Sequence, residues 1–452
     1  MKHWTAQQVA DAAGARLMAA PPDGDGPAGA TVDSRQATGG SLFVGLAGAR
    51  ADGGGFATAA LGTGAWGVLV TPDHAEQATR AGTGTILAAD DPLAALQRLA
   101  TAWRRALGAA VIGVTGSTGK TSTKDLLLAV LAPHRRTVAS RANFNTEIGL
   151  PLEILNAPAE TEVLVLEMGM RGAGQIAELA AVAEPDVGII VSIGPVHLEL
   201  MGSIEAIAAA KAELIAGLPP GGTAVIPADE PLLDPHLRDD VTIVTFGDRG
   251  AVRVLRQDAH RMEIDAGGEP IALEVPFTQA HLRSNLLAAV AAAKAVGVTP
   301  AGRVELNLSS GRGQRTSLPN GVTVIDDCYN ANPMSMRAAL TDLQATTAAQ
   351  DGARRMAVLG DMLELGPDER DYHLRLGEEA ERAGVDVLVT VGPLAAAGAE
   401  RYDGECYSVA DAGEAAALVP ELVQPGDVVL VKGSRGVGLE LVCTALGARE
   451  QT

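Results

Sequence analysis

The chain has 452 residues, a length that calls for about three domains rather than one core, and at 47% hydrophobic but 3% aromatic its cores must be built from Ala, Val, Leu and Ile. Its 35 basic and 55 acidic side chains leave a formal net charge of -20, which argues against nucleic acid as a partner, because phosphate binding draws its affinity from Lys and Arg. Cys328, Cys406 and Cys443 lack metal-ligand spacing, no long apolar core follows Lys2, and no run reaches membrane length, so a cytoplasmic protein without membrane insertion is expected, with a monomer as the default.

Residues 1 to about 88 hold short strands among many glycines, such as Ser41 to Leu46 and Trp66 to Val70, and read as a small α/β module. A helix is expected from about Asp91 to Leu107, with Pro92 in its first turn and Leu93, Leu96, Leu99, Ala100 and Trp103 at helical spacing. From there to about Thr316, apolar runs such as Val163 to Leu166 and Val187 to Val191 alternate with alanine-rich helices, the texture of a buried parallel sheet. The remainder repeats that texture, with strands expected at Val322 to Ile325, Met356 to Leu359, Val385 to Val389 and Val428 to Val431. Each is followed by a polar or Gly-containing turn, as the ligand-facing edge of an open α/β sheet requires.

The stretch Gly113 to Asp125 joins a buried-strand pattern (Val111, Ile112, Val114) to a phosphate loop and a helix. Backbone N–H groups of Gly116, Ser117, Thr118 and Gly119 can surround phosphate oxygens, Lys120 adds a mobile charge, and the Thr121 hydroxyl suits Mg2+. Val114 stands where the strict loop pattern has its first Gly, so the loop implies a nucleoside triphosphate and leaves the reaction open.

Other residues are ambiguous on their own. Glu167 ends a buried strand and suits Mg2+, or caps the next turn. His197 follows another strand, although imidazole is a soft ligand for Mg2+. Lys211 lies on an apolar helical stretch where a snorkelling surface lysine is the simpler reading. Asn285, taken to open an alanine-rich helix, can pair with a nucleobase or cap the helix. Arg312 in a Gly loop can reach a transferring phosphoryl group, and Asp326 and Asp327 at a strand end can accept from ribose hydroxyls; a solvated charge serves equally for each.

Taken in order, Thr115-Gly116-Ser117-Thr118-Gly119-Lys120-Thr121, Glu167, His197 in Gly194-Pro195-Val196-His197-Leu198-Glu199, Lys211, the His281-to-Asn285 spacing, Arg312 and Asp327 resemble the Mur ligases over nearly the whole chain. These are ATP-dependent amide ligases that build the peptide of the peptidoglycan precursor. The resemblance implies an α/β protein of three domains. They are an N-terminal UDP-MurNAc-binding module (1–88), a central P-loop ATP-binding domain with a mostly parallel sheet (89–316) and a Rossmann-like C-terminal ligase domain (317–452). Asn143 to Pro151, Glu167 to Met170, Asp326 to Met336 and Leu359 to Gly366 point to the branch that adds a dipeptide, and the Asp-Asn-Pro-Arg of the diaminopimelate-adding branch is absent. The implied partners are UDP-MurNAc-tripeptide and D-alanyl-D-alanine, with diaminopimelate and lysine equally compatible as the third peptide residue.

The resemblance also assigns roles. ATP falls to Thr115 to Ser122, Asn285 (adenine), Arg312 and Asp327. Mg2+ falls to Thr121, Glu167, His197 and Lys211, the last carbamylated by CO2 and so made an oxygen donor. Lys120, Glu167, His197, Lys211 and Arg312 form the catalytic set. Substrate contacts fall to Ser34, Arg35 and Phe56 for the uridine diphosphate, to Asn143, Asn145 and Thr146, and to Asn330, Asn332, Asp361, Lys432, Ser434 and Arg435 for the dipeptide. Leu282, Gly54 and Cys328 depart from the family's usual Asn, His and Ser. Hinges are expected near residues 88 and 316. Two other readings stand beside this one: a related ligase adding diaminopimelate or folate glutamates, and an ATP-hydrolysing switch that joins nothing.

Overall fold

Runs rich in Val, Ile and Leu form strands buried on both faces, and the alanine-rich segments between them form the covering helices. The computed structural model describes residues 1–22, 25–37, 39–49, 51–82, 84–141, 143–258, 260–348 and 353–449. Three sheets result. The N-terminal sheet has five strands, four parallel and one, Arg16–Ala19, antiparallel to Thr85–Ala88.

The middle sheet has ten strands. Thr137–Ala139, Val163–Glu167, Ala110–Thr115, Val187–Ile190, Thr223–Pro227 and Thr242–Phe246 run side by side and parallel. Val252–Gln257, Arg261–Ala266 and Pro270–Glu274 instead form an antiparallel meander, a departure from strict strand–helix alternation. Burial alternates along the second and third of these strands, as suits a sheet covered on one face, while a register shift between Val254 and Arg256 interrupts it in the first; Met262, Ile264 and Leu273 share a core with the helix Ala280–Ala295.

The C-terminal sheet has six strands. Thr323–Asp326, Val428–Lys432, Arg355–Gly360, Val387–Val391 and Glu405–Val409 are parallel, and Gln314–Ser317 adds an antiparallel edge. This sheet therefore starts before residue 317, where the sequence suggested a boundary.

The other expected boundary is bridged. The helix Pro92–Leu107, capped by Asp91, which accepts from the Ala94 amide at 3.0 Å, packs on both sides of it. Val9, Ala13, Leu96, Trp103, Leu150, Leu164 and Ile176 form one continuous core, Trp4 meets Trp103 edge-on at 5.4 Å, and the Asn156 amide pairs with both backbone groups of Ala30 at 3.1 and 2.9 Å. Such an apolar seam makes residue 88 a poor hinge. Among the described residues, no helix is long and apolar enough to cross a membrane.

Candidate active site

The site grows from three strand ends of the middle sheet, the edge where open α/β sheets bind ligands. After Ala110–Thr115 the chain turns through the phosphate loop into the helix Lys120–Leu131. Gly119 has φ +80°, and a Cβ there would lie 2.8 Å from Asn285 Oδ1 and 2.9 Å from Val191 Cγ1, so both conformation and space demand glycine. The next strand end braces the loop. The Thr118 amide donates to Ser192 Oγ (2.9 Å), while Ser117 Oγ donates to the Gly194 carbonyl (3.0 Å) and accepts from its amide (2.9 Å). Lys120 Nζ donates to the Gly116 carbonyl at 2.8 Å, and burial pushes its pKa down against the opposing pull of Glu167.

Glu167, 3% exposed, ends the neighbouring strand. Its oxygens accept from Thr121 Oγ1 (2.9 Å) and Asn145 Nδ2 (2.8 Å), so its partners are the phosphate-loop helix and the Asn143–Thr146 segment rather than the turn that follows it. Lys211 is 2% exposed on the helix Ile204–Ala216, which rules out snorkelling. Burial first, and the like charge of Lys120 second, hold its pKa well below the ordinary lysine range. His197, half-buried at the third strand end, has φ +52° and pairs through Nδ1 with Glu364 of the C-terminal domain. Burial lowers its pKa, Glu364 opposes that, and Lys120 and Lys211 are close enough to lower it further.

The C-terminal sheet aims its own strand ends at this edge. A cavity of about 320 Å3 lies between them, lined by Ser117 to Ser122 and Asn285 on one side and Arg312, Asp327, Asn330, Asn332 and Lys432 on the other. The Arg312 guanidinium stacks 4.0 Å from the Tyr329 ring centre, and its buried Nε has no hydrogen-bond partner. Lys432 Nζ pairs with Asp327 (2.7 Å) and donates to the Asn330 carbonyl (3.0 Å).

Other expected site residues sit differently. Asn285 does not open its helix: the helix begins at Ala280 with Gln279 in the cap position, so Asn285 lies in the second turn against the phosphate loop, and capping is excluded as its role. Asp361 accepts from the Leu394 and Ala395 amides at 3.0 and 2.6 Å, Ser434 Oγ accepts from the Leu363 amide at 3.0 Å, and Asn332 Oδ1 accepts from the Ser335 amide at 3.0 Å. Asp361 and Ser434 therefore hold loops, and Asn332 caps the helix Pro333–Ala348. Thr146 Oγ1 accepts weakly from Gly149 (3.3 Å), Asn143 offers its carbonyl to the Asn145 amide (2.8 Å), and Arg435 stacks on the outer side of the site at 5.2 Å from Tyr329. Outside the cavity lining, Arg35 is exposed and tied to Asp33 (2.8 Å), Ser34 follows that Asp cap, and Phe56 is 47% exposed. Sequence reasoning missed Ser192, Tyr329 and Glu364 as parts of the site, although each lies at or just beyond a strand end, the one signal that could have flagged them.

A braced phosphate loop, a buried acid–hydroxyl pair beside it and a second α/β domain closing the same cavity define a multidomain nucleotide-dependent enzyme. The family model described as the Mur ligase middle domain matches residues 114–293, and that of the Mur ligase glutamate ligase domain matches 311–435. The chain is 36% identical to the UDP-N-acetylmuramoyl-tripeptide–D-alanyl-D-alanine ligase of Synechocystis over 93% of this chain and 92% of that protein. Its identity to the enzyme of the same name in Bacillus subtilis is 35% over 91% of each. A crystal structure of MurF from Acinetobacter baumannii superposes with a TM-score of 0.86 at 28% identity over 99% of both chains, and MurF from Thermotoga maritima in complex with ADP gives 0.79 at 28%, over 93% of this chain and 97% of that one. The chain belongs to the Mur ligase family, within the branch of these D-alanyl-D-alanine-adding ligases.

Proposed function

We propose that this chain joins D-alanyl-D-alanine to the terminal carboxylate of UDP-MurNAc-tripeptide at the expense of ATP, giving UDP-MurNAc-pentapeptide, ADP and phosphate. The observation that carries this reading is the near full-length match to ligases of that name, combined with a phosphate loop facing the C-terminal strand ends across one cavity. In this reading the N-terminal module binds the uridine diphosphate, the middle domain binds ATP and the C-terminal domain receives the dipeptide, in a cytoplasmic monomer.

The first step is attack of the tripeptide carboxylate on the γ-phosphorus of ATP, which forms an acyl phosphate. Two anions must approach each other, so Lys120 and Arg312 act by neutralising them and the charge that spreads over the transferred oxygens. Lys120 lies on the loop that wraps the phosphates and exchanges its Gly116 carbonyl for them. Arg312 holds its guanidinium plane against Tyr329, with Nε free to take an oxygen acceptor. The donor set suits Mg2+: Thr121 and Glu167 already offer adjacent oxygens, His197 stands at the next strand end, and Lys211 is a desolvated amine able to take up CO2 as an anionic carbamate. When bound, the ion supplies further charge neutralisation at the phosphates. The dipeptide amine then attacks the acyl carbon and phosphate leaves. Asn285, which lies against the loop at Gly119, is assigned to the adenine, and Asp327, held by Lys432, to the ribose hydroxyls. The exposed Arg35 can trade its same-turn Asp33 partner for a diphosphate at little cost, with Ser34 and Phe56 beside it. Asn143, Asn145 and Thr146 are assigned to the incoming peptide, and Asn330, Asn332, Asp361, Ser434 and Arg435 to shaping the dipeptide site.

The test is phosphate release from ATP with the two substrates supplied separately and together, followed by mass analysis. Release requiring both, with a pentapeptide product, is expected. Release independent of both, or no pentapeptide, refutes the assignment in favour of an ATPase switch.

A further inference from the structure

Glu364 lies beyond the C-terminal strand Arg355–Gly360, yet its carboxylate pairs with His197 Nδ1 on the middle domain. The contact is made by two loops, not by two side chains alone. The Glu199 amide donates to the Glu364 carbonyl at 3.4 Å, and Arg171 of the middle domain stands 3.7 Å from the other carboxylate oxygen. Among the described residues, three non-glycine residues have a left-handed φ, and two of them are His197 (+52°) and Glu364 (+64°). Such backbones are strained for a side chain with a Cβ and persist where surrounding structure over-determines them. Here both strained residues meet at a single contact between domains.

The chemistry of that contact is directional. A carboxylate only accepts, so in the neutral ring Nδ1 carries the hydrogen and Nε2 keeps its lone pair. The ring edge away from the C-terminal domain is then the one prepared for a cation. Met334 supports the same seam: a Cβ on Gly194, three residues before His197, would lie 1.9 Å from Met334 Sδ, so the C-terminal domain also packs onto the loop that braces Ser117. The His197 strand end thus receives the C-terminal domain from two directions.

We infer that Glu364 is a positioning residue through which the C-terminal domain sets the ring orientation and tautomer of His197, so that the metal site is completed only when the domains are together. The inference rests on the metal-site role proposed for His197.

The test uses the full chain with ADP, and Mn2+ as an electron paramagnetic resonance probe. Mn2+ affinity is measured for the wild type, Glu364→Ala, Glu364→Gln, His197→Ala and the double variant His197→Ala/Glu364→Ala, with small-angle scattering of each as a second readout. Glu364→Ala should weaken Mn2+ about 10- to 100-fold, the usual effect of removing a partner of a ligating His, and should shift the scattering toward a more open particle. Glu364→Gln keeps an acceptor oxygen for Nδ1–H and should stay within a few-fold of wild type. The double variant should bind no more weakly than His197→Ala, because both changes remove one pathway. Wild-type Mn2+ affinity in Glu364→Ala, with weakened affinity in His197→Ala, overturns the inference and leaves the metal-site reading intact. Unchanged affinity in His197→Ala overturns that reading and the inference with it.

Discussion

Replacing Lys211 with methionine should stabilise the folded protein while abolishing ligation. The side chain is 2% exposed, and burial together with Lys120 pushes its pKa well down from 10.5. Methionine keeps a buried stem of similar volume and removes the amine, whose uncompensated burial costs about 2 kcal/mol. For a cooperative unit of about 200 residues that corresponds to roughly 4 to 8 °C in Tm. The sign with pH follows from linkage. Because the folded pKa lies below the unfolded one, the unfolded wild type binds more protons between them, so wild-type stability rises with pH and the gap to the variant closes toward pH 10.5. The assay is thermal unfolding in CO2-free buffer from pH 7 to 10, repeated with bicarbonate. Bicarbonate should stabilise the wild type by allowing an anionic carbamate beside Lys120, and should leave Lys211→Met unmoved. A variant less stable than wild type at pH 7, or a gap that does not change with pH, would mean that Lys211 is not a desolvated amine in the folded protein.

Arg312→Lys removes the stack on Tyr329 and the planar fork, so kcat should fall about 100-fold with a smaller change in KM for ATP, read by steady-state kinetics. Asp125 pairs with buried Lys124 at 2.8 Å and accepts from the Ser309 amide at 2.8 Å, tying the phosphate-loop helix to the segment that leads into the C-terminal sheet. Asp125→Ala leaves Lys124 uncompensated and should lose about 3 kcal/mol in urea unfolding, partly recovered in Lys124→Met/Asp125→Ala. Burial raises the Tyr402 pKa to about 12, so its contribution is complete below pH 10 and is lost as pH rises toward 12. Tyr402→Phe should flatten that alkaline fall in stability, and at neutral pH should cost about 1 kcal/mol for the bond to the Val385 carbonyl.

The phosphate loop was legible because a strand, a glycine turn and a helix are adjacent in sequence, and each part has its own local signature. Strand positions were legible for the same reason: runs such as Val428–Lys432 are buried on both faces and need no partner to be recognised. The meander at 252–274 was not, since its alternating burial depends on which face the helix Ala280–Ala295 covers. Lys211 shows the limit most plainly. From the residues alone its apolar helical stretch reads as the site of a snorkelling surface lysine, and only packing on all sides makes its ammonium expensive.

Local sequence carries the set of chemical groups and their order along the chain: a loop for phosphates, an acid and a histidine after successive strands, an arginine in a Gly loop ahead of the C-terminal strands. Those follow from local propensity and from the family resemblance of the motifs. The tertiary structure alone decided which groups meet. It placed Asn145 on Glu167, turned Asp361 and Ser434 into loop anchors, put Asn285 against Gly119, and brought Glu364 across the domain seam to His197. Contacts between residues more than 150 positions apart, such as His197 and Glu364, are fixed by how sheets and domains pack, and no local pattern encodes them.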